Sequence, residues 1–127
     1  MPIYVKILCL YCQFRKGISY MFWFKRWRRR RLAHRQFPEE WLRIIEANVP
    51  FYNRLPLEDR TELQRHILIF IGEKKFEGCG GLKINDEIKV IIAAQACILI
   101  LHRKTDYYPG LSSILVYPTA FIADRTQ

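Results

Sequence analysis

Three histidines, at positions 34, 66 and 102, are the side chains of this chain best suited to hold a metal or move a proton near neutral pH. No two of them are one helical turn apart, so no helix face offers two imidazoles to one ion. His66 is read as a partly exposed helix-surface histidine, with no His, Cys or carboxylate at i±4 completing a ligand pair. Cysteines stand at 9, 12, 79 and 97. Cys9 and Cys12 form one Cys-x-x-Cys, but no second pair follows at zinc-ribbon spacing and no strand-then-helix redox context surrounds it. Zinc bound by these cysteines and scattered histidines is therefore set aside. Cys79 and Cys97 are read as reduced thiols, Cys97 within an apolar run where it acts as a small hydrophobe.

Other chemistries fare no better. Ser112, Ser113 and Cys79 lie outside any Gly-x-Ser-x-Gly elbow, and no histidine is placed by sequence as their base. The acid pairs Glu39/Glu40, Glu58/Asp59 and Asp86/Glu87 each open a helix, where the helix dipole accounts for them. Gly78, Gly80 and Gly81 permit a tight break, but no Lys-Ser/Thr follows them to cradle a phosphate. No residue of this chain is assigned a catalytic or metal-binding role.

The elements that surround these residues are legible in outline. Pro38, Glu39 and Glu40 open a helix ending near Asn48, because Pro50 disfavours helix at the residue before it. Phe51, Tyr52 and Leu55 make a short connector that packs back. A second helix is expected from about Pro56 to Lys75, with Leu63, Ile67, Phe70 and Ile71 as its core stripe. Phe76 to Leu82 reads as a turn. A third helix runs from about Asp86 to Leu101, with Asn85 as N-cap and His102, Arg103 and Lys104 at its C-terminal end. It is apolar nearly all round, which suits the centre of something larger than this chain. Ser113 to Pro118 reads as a strand whose partners must come from another chain or from sequence beyond Gln127. The expected class is α+β, mainly helical with about three helices before that strand.

Charge divides the chain in two. Residues 1–38 hold ten Lys or Arg and no acid, whereas residues 39–127 hold eleven against twelve, so the formal +9 belongs to the front segment. Residues 1–36 are read as a basic, aromatic, disordered arm and residues 37–127 as one ordered but incomplete unit. Met21 is a candidate initiator, which would make residues 1–20 an upstream extension. The apolar run from Ile3 to Tyr11 lacks a preceding basic region and a small-residue cleavage site, and Lys6 interrupts it, so it is not a secretory signal. No stretch reaches the roughly 18 to 20 apolar residues of a membrane span. A cytoplasmic location is expected. Beside a frayed terminus, the alternative for the arm is weak contact with anionic lipid or nucleic acid. Trp23, Lys25, Arg26, Trp27, Arg28, Arg29, Arg30 and Arg31 are the candidate contacts.

Five blocks together carry a resemblance: Phe37-Pro38-Glu39-Glu40-Trp41, Val49-Pro50-Phe51-Tyr52, Lys75 to Leu82, Ile92-Ala93-Ala94-Gln95-Ala96-Cys97, and Tyr108-Pro109-Gly110 through Ile114 to Pro118. In order and spacing they resemble the N-terminal portion of the Mlc titration factor A family of zinc-dependent metallopeptidases, over roughly Met21 to Asp124. The resemblance implies zinc held by a His-Glu-x-x-His motif and a distant acid, in sequence that follows the segment matched here. No position of this chain corresponds to that motif, so no catalytic residue is carried over and no cofactor is assigned to these residues. It further implies that the strand at Ile114 to Pro118 pairs in the sheet beside the family's cleft.

Two readings follow. In the first, the chain is the front portion of a cytoplasmic zinc metallopeptidase, truncated before the motif, inactive by itself and partnered by the missing C-terminal catalytic half. In the second it is a non-enzymatic module that binds a regulator protein, anionic lipid or nucleic acid. Either way the apolar third helix and the unpaired strand are expected to expose surface that promotes association.

Overall fold

The computed structural model describes residues 4–8, 18–104 and 106–118, with side chains from Trp23 onward. In chain order the elements are β1 (Tyr4–Leu8), α1 (Ile18–Ala33), α2 (Glu39–Asn48), α3 (Pro50–Arg54), α4 (Leu57–Glu73), β2 (Lys75–Gly78), α5 (Asp86–Ile98) and β3 (Ser113–Tyr117). The class is α+β and mainly helical, as expected. Cys9 and Cys12 fall outside the described residues.

Proline and asparagine set the helix starts. Pro38 and Pro56 stand in extended backbone just before α2 and α4, and acids occupy both first turns. Asn85 caps α5, its side-chain Oδ1 accepting from the Ile88 N–H at 2.9 Å. Val49 leaves helical geometry at φ −123° before Pro50, which then starts α3. Tyr52 and Leu55 pack inward as expected, while Phe51 stays 49% exposed.

The core joins one face from each element. Ile45, Tyr52, Leu63, Ile67, Phe70, Val90, Cys97, Ile114 and Val116 are all nearly inaccessible. α5 packs against both α2 and α4, and α1 lies on α4. The surface expected to be open on the third helix is thus largely covered within this chain: Ile88, Val90, Ala93, Ala94 and Cys97 are buried.

Five expectations are corrected. The strand at Ser113–Tyr117 finds its partners inside the chain, lying in the middle of a three-stranded sheet ordered β1-β3-β2. β1 runs antiparallel to it, Tyr4 opposite Tyr117, and β2 runs parallel, Phe76 opposite Ile114. Lys75 to Gly78, read as a helix end and turn, is therefore a strand, while residues 4–8, assigned to an arm outside the fold, supply another. The basic segment read as frayed is helical to Ala33. Finally, the third helix stops at Ile98. The next turns tighten through Ile100 N–H to Cys97 O and Leu101 N–H to Ile98 O, and His102 adopts a left-handed φ of 63°.

Candidate functional site

The densest polar arrangement runs along one side of α4. Asp59, Glu62 and His66 recur at helical spacing and share a face. The turn after α5 then brings His102 against them. Its backbone N–H donates to Glu62 Oε1 at 2.9 Å, its Nε2 lies 3.2 Å from Asp59 Oδ1, and its Nδ1 lies 3.4 Å from Glu62 Oε2. One backbone donor of the turn after α5, the His102 N–H, is thereby satisfied by α4.

Glu62 Oε1 also meets His66 Nε2 at 3.2 Å, and His66 Nδ1 meets the Tyr107 hydroxyl at 2.7 Å. A proton on His66 Nε2, with the tyrosine donating to Nδ1, satisfies both contacts at once. Carboxylate, imidazole and phenol therefore form one connected chain. The His102 N–H, against some opposing burial, and then His66 hold the Glu62 carboxyl below its ordinary 4.5. Burial pushes the Tyr107 phenol up to about 12. The Arg29 guanidinium sits 4.8 Å from the Tyr107 ring centroid and pairs with Glu73 and Asp106. Burial would raise the Asp106 carboxyl, but its bonds from Arg29 and Lys25 outweigh that and hold it low.

Beside this chain, at the C-terminal end of α4, lies a pocket of about 270 Å³ lined by Lys25, Arg28, Glu73, Lys74, Asp106 and Ser112 among others. Lys74 Nζ donates there to Tyr108 O at 3.1 Å and Leu111 O at 2.7 Å. Its burial lowers its pKa. No histidine lines the pocket beside Ser112. Cys97 is fully buried, and burial pushes its thiol far up, away from nucleophilic use.

Asp59, Glu62 and His102 bring one donor atom each within 4.8 Å of one another. Their fit to a peptidase zinc site is poor. Such a site takes two imidazoles from i and i+4 of one helix, and this group has two carboxylates and one imidazole, from two segments. All three side chains are already matched by charge or hydrogen bond to each other. The arrangement works as a polar latch holding the α5 turn to α4.

Sequence reasoning missed this latch in an instructive way. His66 does have a carboxylate one turn back, Glu62, contrary to the expectation of none at i±4. The signal was present in the Glu62-to-His66 spacing. His102, expected to cap its own helix, instead answers carboxylates forty residues earlier, which no local pattern announces.

The eight candidate contacts of the basic segment separate into two faces of α1. Lys25, Arg28 and Arg29 turn inward, to Asp106, to Gly72 O at 3.0 Å, and to Glu73 with Asp106. Trp23, Arg26, Trp27, Arg30 and Arg31 remain exposed. Phe24, which the sequence reading did not include, joins them at 63% exposure.

Comparison with known proteins adds a family. The family described as glucose-regulated metallo-peptidase M90 matches residues 24–127. An uncharacterized protein, slr2042, of Synechocystis sp. (strain ATCC 27184 / PCC 6803 / Kazusa) is 41% identical over 95 residues. That match takes in 75% of this chain and 34% of the relative, so the chain spans about a third of its length. No solved structure matches.

Proposed function

Because this chain belongs to the glucose-regulated metallo-peptidase M90 family, we propose that it forms the non-catalytic helical portion of a zinc-dependent peptidase and does not hydrolyse peptides by itself. The observation that carries this reading is the family match set against the histidine inventory. Residues 24–127 align with the family, yet the 127 positions contain three histidines and no His-Glu-x-x-His. The two imidazoles needed on one helix face must come from other polypeptide. On this reading the partner is the stretch that carries them. The shared segment accounts for 34% of the matched relative, which leaves length for such a stretch and supports the proposal.

The front portion supplies a frame. α5 is clamped between α2 and α4, and β3 sits between β1 and β2 with Ile114 and Val116 buried. We place the protein in the cytoplasm. Cys79 and Cys97 are free thiols, in keeping with a reducing compartment. No helix among the described residues is long and apolar enough to cross a membrane.

Zinc analysis of the purified chain tests the assignment. After dialysis against a metal-free buffer, less than about a tenth of an equivalent should remain, because the described residues offer no preorganised set of N and S donors to retain it. One equivalent of retained zinc, lost on mutating His66 and His102 together, would place a zinc site within these residues.

A further inference from the structure

The outward face of α1 is built unlike the rest of the surface. Its inward face is used up by the fold: Lys25, Arg28 and Arg29 are bonded to α4 and to Asp106, and Leu32 lies so near Gly72 that a Cβ there would fall 2.7 Å from its Cδ1. These positions recur at i, i+3, i+4 and i+7, so the helix is fixed in rotation. The opposite face is thereby committed to solvent. It carries Trp23, Phe24 and Trp27, 83%, 63% and 55% exposed. Arg26, Arg30 and Arg31 surround them, all exposed.

From this arrangement we propose that the outer face of α1 docks on an anionic phospholipid bilayer. Residues 18–33 include no acid, so nothing on the helix neutralises its arginines locally. Arg26 and Arg30 make no ion pair among the described residues, while the Arg31 guanidinium rests 5.4 Å from the Trp27 ring centroid. A cluster of large exposed aromatics is costly in water. At a bilayer surface the indole rings settle at headgroup depth, and arginines on the same helix reach lipid phosphates from there. A duplex groove suits this face less well, since among its described side chains it has no Asn, Gln, Ser or Thr to pair with base edges around the rings. The helix is too short and too charged to span, so the contact lies in the plane of the interface.

The test uses co-sedimentation of the chain with vesicles of phosphatidylcholine alone or with 30% phosphatidylserine, at about 0.1 M salt. Three interfacial arginines predict roughly tenfold or greater preference for the acidic vesicles, with a blue shift of tryptophan emission. Replacing Trp23 and Trp27 with Ala should weaken binding about tenfold with net charge unchanged. Arg26→Gln with Arg30→Gln and Arg31→Gln should abolish the preference, while Lys83→Gln with Arg103→Gln and Lys104→Gln should leave it nearly intact. All the replaced side chains are exposed, so the variants keep the fold. Equal loss in the two charge-matched triple variants, no binding to acidic vesicles, or a single-stranded oligonucleotide that displaces the vesicles would each overturn the proposal.

Discussion

Glu62 is the residue on which the described polar network turns. It accepts from the His102 N–H and meets both imidazoles, tying the end of α5 to the middle of α4. Its folded pKa lies below the ordinary 4.5, so its contribution to stability is present in full above that value and is lost as pH falls through the folded value. Asp106, held below 3.8 by Arg29 and Lys25, acts with the same sign lower down. Glu62→Gln removes the charge but retains an acceptor for the His102 N–H. Urea unfolding should find the variant less stable than the parent at pH 7 and the gap closing as the pH falls below 4.5. A gap that stays constant through that range would show that Glu62 acts through shape alone. The latch was partly readable beforehand: the Glu62 and His66 spacing was in the sequence, but the arrival of His102 depends on a backbone reversal at φ 63°.

Among the elements, those with local punctuation were legible and those made by distant partners were not. Pro38, Pro56 and Asn85 marked the starts of α2, α4 and α5 because each acts on its own next turn. β2 has only four residues, KFEG, and exists because β3 runs beside it. Its glycine shows how tight that placement is. A Cβ on Gly78 would meet the Leu82 carbonyl oxygen at 1.9 Å, a backbone contact that cannot swing aside. Gly78→Ala should therefore cost on the order of 2 kcal/mol or more, by forcing the β2 turn apart. The urea midpoint would read this as a fall of about 1 M for a chain of this size. An unchanged midpoint would mean that the turn yields freely. α1 escaped prediction for a different reason. Its arginines look solvated, and only contacts with Gly72, Glu73 and Asp106 show which of them hold the helix down.

For the molecule as a whole, the resemblance carried by five sequence blocks and the family match over residues 24–127 agree on lineage. The fold explains how such a segment stays together, since α5 and β3, expected to need cover from elsewhere, are covered by α2, α4, β1 and β2. On the proposed reading the chain contributes a frame, while the His-Glu-x-x-His chemistry implied by the resemblance requires imidazoles that these 127 residues do not pair. The most direct measurement is peptidase activity of the purified, folded chain on a broad set of fluorogenic peptides, with added zinc and with a chelator. Hydrolysis should run at the no-enzyme rate in both conditions, with cooperative thermal unfolding showing that the chain is folded. Cleavage above that rate that the chelator abolishes and zinc restores would contradict it.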